Sequence, residues 1–185
     1  METNKNSFDL PDSFYDMASL WQLGPAEETD SRMRNRPDTL SQWCLAAKAS
    51  GSAITVEVVG GQRFTLVPRA VGTTWLSGET SGVASRGLVV AMRAVVSMWV
   101  GRPQDLSTKQ CVNVPMLDAV AHTIRANPLV VVGAGHDRWP GQVSAIGHDF
   151  VELTPPRRCA GDHPVHIIPA SHIDWVLWRE PGDSF

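Results

Sequence analysis

The chain has 185 residues, of which 43% are apolar and 19% charged, so it can bury a core and is not disordered throughout. Its longest apolar runs, such as Leu88–Met92 and Leu129–Val132, are far shorter than the ~20 residues that a membrane span requires. The N-terminus has no basic stretch followed by an apolar one, which argues against a secretory signal. We therefore expect a cytoplasmic protein that does not contact membranes.

The formal net charge of −3 is unevenly distributed. Residues 1–38 carry eight acids and four bases, and the remaining residues carry eleven acids and twelve bases. A typical nucleic-acid-binding domain is strongly basic, and this chain is not. Nucleic-acid binding would therefore require a local basic patch, because affinity follows the number of phosphates that are neutralised.

Residues 1–38 predict an acidic leader that is partly disordered, since three prolines interrupt any long helix. Within it, the apolar cluster 14–21 predicts a short amphipathic helix. This helix either packs on the rest of the chain or docks a partner through Phe14, Tyr15 and Trp21.

The rest of the chain contains an internal repeat. At a spacing of 75 residues, the clearest matches pair Ile54–Phe64 with Leu129–Trp139, Gly60 with Gly135, and Arg63 with Arg138. After the second loop the spacing becomes 78, which places three extra residues around Pro155–His163 in the second copy.

Each copy predicts one short helix followed by five short strands, the last two joined by a very tight turn. The helices are expected at about Leu40–Ala49, capped by Asp38 or Thr39, and at about Met116–Ala126, capped by Asn113. The predicted fold is mainly β. Two tandem five-stranded antiparallel barrels, each preceded by a helix, are expected over residues 39–101 and 114–179.

This layout resembles the Sm-like family, which includes the Hfq proteins. The closest local match is Gly141–Leu153 followed by Val165–Ile173. The layout is also similar to that of small two-module actinobacterial proteins, some of them loosely labelled transcriptional regulators. The resemblance implies tandem Sm-like barrels, assembly through edge strands, and RNA contacts from the turn before the third strand and from the last tight turn. The candidate contact residues at those turns are Arg93, His148, Asp149 and His172.

Arg157 and Arg158 lie in the loop insertion of the second copy, beside two prolines. Arginine forks suit phosphate and carboxylate groups. The pair is either a solvated loop or a contact to nucleic acid or an acidic partner.

Catalytic and metal-binding patterns are missing from the sequence. The six histidines do not have the spacing of zinc ligands, and no G-x-S-x-G motif occurs. Cys159 lies near arginines and His163, but a loop of this kind does not hold a nucleophile within reach of a base. The three cysteines have no CxxC pair and predict reduced thiols. We expect no enzyme, metal or cofactor.

The seven tryptophans predict both core and interface positions. Trp43, Trp75, Trp99 and Trp139 are expected in the core. Trp175 and Trp178 fall on opposite faces of the last strand, so one of them is expected to face outward at an exposed edge strand and form an interface.

The sequence therefore predicts a non-catalytic regulatory protein that binds RNA or another nucleic acid through a duplicated Sm-like barrel. The alternative is a protein–protein adaptor that uses the barrel edges and the acidic leader, without nucleic acid. Homo-oligomers through the edge strands are compatible with either function.

Overall fold

A computed structural model describes residues 37, 39–81, 86–101, 110–124, 129–155 and 165–179, all within one compact unit, Pro37–Phe185. The expected mainly β class is confirmed: the chain forms one ten-stranded antiparallel sheet with two short helices. The helices are α1 (Leu40–Ser50) and α2 (Met116–Thr123). The strands are β1 (Ile54–Val58), β2 (Arg63–Val71), β3 (Trp75–Thr80), β4 (Arg86–Ala91), β5 (Val95–Val100), β6 (Leu129–Ala134), β7 (Asp137–Ile146), β8 (Phe150–Thr154), β9 (His166–Pro169) and β10 (Trp175–Arg179).

The strand order is β5-β1-β2-β3-β4-β10-β6-β7-β8-β9. Each repeat contributes its fifth, first, second, third and fourth strands in that order. The two sets meet where β4, the fourth strand of the first repeat, pairs with β10, the fifth strand of the second. We call the β4–β10 pairing the junction. It leaves β5 and β9 as the two edges of the sheet.

Local irregularities recur at the spacings that the sequence predicts. The register shifts between Pro68 and Ala70 and again, 75 residues later, between Val143 and Ala145. A short 3-10 turn joins the last two strands of each repeat, at Met92–Ala94 and, 78 residues later, at Ala170–His172. Because such irregularities depend on local sequence, their recurrence supports a duplicated unit.

The helix boundaries follow from their caps. Thr39, one of the two caps that the sequence offered for α1, occupies the N-cap position, and its side chain accepts a hydrogen bond from the Gln42 backbone N–H. Gly51, with a φ of 65°, ends the helix in the left-handed conformation. The Asn113 cap predicted for α2 is wrong: Pro115 occupies the N-cap position and makes no side-chain cap bond.

Two hydrophobic cores lie along the sheet, and the junction interlocks them. The core beneath α1 includes Trp175 of the second repeat, whose ring meets Phe64 edge-on with centroids 5.1 Å apart. The core that contains α2 includes Trp75 and Val89 of the first repeat. Each repeat therefore completes the core of the other.

The expectation that one tryptophan of the last strand faces outward is wrong. Trp175 is 3% exposed and Trp178 is 7% exposed, because β10 is a central strand between β4 and β6. Trp178 lies opposite Gly87 and its indole covers that glycine. The core position expected for Trp99 is also wrong, since Trp99 is 49% exposed on the edge strand β5.

Replacing Gly87 tests the junction. A Cβ atom built at Gly87 overlaps the indole of Trp178, so we expect Gly87→Ala to lower the free energy of unfolding by about 1–3 kcal/mol, as overpacking does. Gly101→Ala is the matched control, because a Cβ there meets open space. Denaturant unfolding of both variants measures the difference. Equal stability of the two variants would contradict the close packing of Trp178 on Gly87.

Candidate functional site: two clefts at the junction

The junction is held by a polar contact as well as by its apolar packing. Arg93, in the tight turn of the first repeat, donates to the Asp174 carboxylate at 2.9 Å and to the Ile173 carbonyl at 2.7 Å. The other Asp174 carboxylate oxygen accepts from the Gly135 backbone N–H at 2.6 Å. Asp174 is 5% exposed, so these partners replace the water that the carboxylate loses on burial.

The first cleft, of about 620 Å³, lies beside this contact, and we call it the histidine cleft. Its polar lining comes from Arg93, Asp137, His166, Ser171, His172 and Asp174. The structure thus brings together two of the predicted site residues, Arg93 and His172. The Arg93 guanidinium is already engaged by the protein itself, which reduces its capacity to bind a ligand.

The other two predicted turn residues lie outside this cleft. His148 and Asp149 are exposed in the turn before β8. The Asp149 carbonyl accepts from the Ala170 N–H at 2.7 Å and so anchors the last tight turn of its own repeat. The structure does not join all four turn residues into one site.

The second cleft, of about 340 Å³, is lined by three arginines, and we call it the arginine cleft. Arg63 begins β2, Arg86 begins β4, and Arg138 is in β7. Thr65, Thr80 and Ser81 add hydroxyl groups, and none of the described residues that line the cleft is acidic. Three guanidinium groups with hydroxyl donors form a suitable surface for phosphate or carboxylate groups.

The arginines differ in how they are held. Arg63 donates to Glu57 at 2.9 Å, and its guanidinium lies over the Trp99 ring at 5.1 Å from the centroid. Arg138 donates to the Gln62 side chain across the two repeats. The Arg63 side chain is 65% exposed, and Arg138 is exposed as well. Both arginines can therefore still reach solvent and a ligand.

Sequence reasoning missed the arginine cleft. Its one signal was the repeat itself, because Arg63 and Arg138 are equivalent positions after the glycine turns. Arg86 had no such signal. It reaches the cleft because β4 pairs with β10 and brings the start of β4 next to the second repeat.

The remaining predicted site residues are placed as follows. Phe14, Tyr15, Trp21, Arg157 and Arg158 lie outside the described residues. Trp175 and Trp178 form the contact between the two repeats of one chain instead of an exposed edge.

Cys44 and Cys111 carry free thiols, and Cys159 lies outside the described residues. Burial, with a smaller contribution from Cys111, raises the pKa of the Cys44 thiol to about 12. Because the thiolate is the nucleophile, this protonated thiol is unreactive at neutral pH. Within the described residues, no group of three or more His, Cys, Asp or Glu is placed to hold a metal ion.

Neither of the two described helices has the length and apolar character needed to cross a bilayer. No protein-family model matches the chain, and no curated protein is significantly similar to it.

Arg93→Met tests the polar contact at the junction. The change leaves a buried carboxylate with fewer partners, and we expect the free energy of unfolding to fall by about 1–3 kcal/mol. The control is Arg69→Met, which removes a two-bond pair between Arg69 and the exposed Glu79. Its effect should be much smaller, because exposed ion pairs contribute little. Equal losses in the two variants would show that Asp174 does not depend on Arg93.

Proposed function

We propose that this chain is a non-catalytic regulatory protein of the cytoplasm that binds single-stranded RNA, with the arginine cleft holding its phosphates. The observation that carries the proposal is the convergence of Arg63, Arg86 and Arg138 in one cleft at the junction. This cleft supplies the local basic patch that a chain of net charge −3 needs to bind nucleic acid.

The order of helix and strands in each repeat supports this proposal, because the sequence resembles the Sm-like family. Each repeat has a helix, then five antiparallel strands, with a tight 3-10 turn between the last two. We propose that each repeat is a Sm-like barrel and that the pair forms a duplicated RNA-binding scaffold, without metal or cofactor. The arginine cleft between the repeats then takes the role of the binding surface.

An aromatic surface next to the arginine cleft favours single strands over duplexes. Trp99 is 49% exposed and lies under the Arg63 guanidinium. Unpaired bases stack on exposed aromatic rings and on arginine planes, whereas paired bases are not available for such contacts. A base stacked on Trp99 would lie close to the phosphates held by Arg63.

Salt-dependent binding of a labelled single-stranded RNA of mixed sequence tests this function. We expect Arg86→Gln to weaken binding about tenfold, or ~1.4 kcal/mol, because one charge-assisted contact is lost. The slope of log affinity against log salt should fall by about 0.7 for each phosphate contact removed. Arg138→Gln should act in the same way, and Arg69→Gln, which changes an arginine outside the cleft, should not.

Two results would reject this assignment. The first is that the unaltered protein retains no RNA at low salt. The second is that Arg86→Gln and Arg138→Gln bind normally while Arg157→Ala with Arg158→Ala abolishes binding, which would move the site to the loop insertion.

A protein–protein adaptor is the second candidate function. It is favoured by the apolar side chains exposed on the two edge strands, namely Val96 and Trp99 on β5 and Ile167 on β9. The acidic leader would add a further docking segment. An adaptor of this kind would bind no RNA at low salt, and deleting residues 1–37 would abolish capture of its partner.

A further inference from the structure

Resting on the function proposed above, we propose further that the arginine cleft selects the end of an RNA strand. It binds a terminal phosphate monoester in preference to the internal phosphodiesters of the backbone. A phosphate monoester carries a charge of about −1.5 to −2 at neutral pH and presents three acceptor oxygens. An internal phosphodiester carries a single negative charge, and the chain continues on both sides of it.

The charge of the cleft matches a monoester. Three guanidinium groups line it, and the acidic partner that the described residues give them is Glu57, which pairs with Arg63 at 2.9 Å. Arg138 has the neutral Gln62 side chain as its partner, and no described side chain pairs with Arg86. The three guanidinium groups and the one carboxylate give a net charge of +2. A phosphate dianion neutralises this charge, whereas a single phosphodiester leaves half of it.

Hydroxyl groups complete the donor set around Arg86. Thr80 lies directly opposite Arg86 in the register of β3 and β4, so their Cβ atoms are about 5 Å apart on the same face of the sheet. Ser81, the next residue, also lines the cleft. Neither hydroxyl is hydrogen-bonded within the part of the chain that the structure describes. Both can therefore donate to the additional free oxygen that a monoester has and a diester lacks.

The floor of the cleft is closed. Phe64 and Trp175 line it, are 8% and 3% exposed, and belong to the core beneath α1. Val131 and Leu177 also line the cleft and pack against the same core. The end of a strand can enter a cleft of this shape, because its chain needs one exit. An internal phosphate needs two exits, so the closed floor favours a strand end.

The rest of the strand has a path across the sheet toward Trp99. Thr65, which lines the cleft, lies opposite Thr55, and Thr55 lies opposite Trp99. Because neighbouring strands are about 4.8 Å apart, Trp99 is about 10 Å from Thr65 along this row. The Arg63 guanidinium lies over the same ring. A strand whose terminal phosphate occupies the cleft can therefore stack a base near that end on Trp99.

RNAs that differ at one end alone test this selectivity. The probe is a single strand of mixed sequence, labelled at an internal base, with hydroxyl groups at both ends, with a 5′-phosphate, or with a 3′-phosphate. We expect a terminal phosphate to tighten binding about tenfold over the strand with two hydroxyl ends, because it gains a charge-assisted contact. Comparison of the two phosphorylated strands shows which end the cleft selects.

Two variants test whether the cleft produces the preference. Arg86→Gln removes the guanidinium without a described partner and should reduce the tenfold ratio of affinities to nearly one. Thr80→Val keeps the charge and the strand-forming shape but removes one hydroxyl, and it should reduce the ratio about threefold. Arg69→Gln, an arginine outside the cleft, is the matched control and should keep the ratio.

Dinucleotides provide a measurement that does not depend on binding of a long RNA. UpU has one phosphodiester and no terminal phosphate, whereas pUpU and UpUp each add one terminal phosphate. We expect pUpU or UpUp to shift the side-chain NMR signals of Arg86 and Arg138 at concentrations at which UpU does not.

Equal affinity for the strands with and without a terminal phosphate would overturn this selectivity. If Arg86→Gln then weakens both strands alike, the proposed RNA-binding function stands without it. A preference that survives both Arg86→Gln and Thr80→Val would also overturn it, because the preference would arise outside the cleft. If no strand binds at low salt, the proposed function fails, and the dinucleotides decide the selectivity alone. Shifts with pUpU or UpUp and none with UpU would then support it, and any other pattern would overturn it.

Discussion

The pairing of β4 with β10 is the contact on which the rest of the molecule depends. It joins two sets of five strands into one sheet and places Trp175 in the core of the first repeat. Burying two tryptophans at one strand pair is a large apolar contribution, since removing a buried tryptophan side chain typically costs about 3–5 kcal/mol. Glycines at positions 87 and 133 leave the space that the two indoles occupy. The repeats are therefore parts of one cooperative structure.

The same pairing explains the distribution of charge around the junction. A carboxylate buried without partners would be strongly destabilising, and Asp174 avoids this through Arg93 and the Gly135 N–H. In the arginine cleft, Arg63, Arg86 and Arg138 converge, and none of the described residues that line this cleft is acidic. Arg93 and Asp174 of the histidine cleft thus pair with each other, and the arginine cleft keeps exposed guanidinium groups within reach of a ligand.

Much of the fold could be predicted from the sequence, because repeats and strand patterns are local properties. The spacing of 75 residues between Gly60 and Gly135, and the change to 78 before the last tight turn, both recur in the structure. Thr39 as the cap of α1 was also predictable, because capping depends on a side chain and a backbone three residues away. The site was less predictable. Arg93 stood out as a ligand-binding residue, but its guanidinium binds Asp174, 81 positions away in the chain.

The sequence by itself determined the β class, the duplication and the positions of the turns, since these follow from alternation, glycine placement and spacing along the chain. Tertiary structure alone decided which strands became edges. Trp178 and Trp99 both lie on a fifth strand, yet Trp178 is buried and Trp99 is exposed, because β10 has β4 as its neighbour and β5 has β1 alone. A strand's pattern shows which residues can face a partner, but burial depends on whether another strand occupies that side. The arginine cleft has the same origin, since its residues are distant in sequence and meet only across the junction.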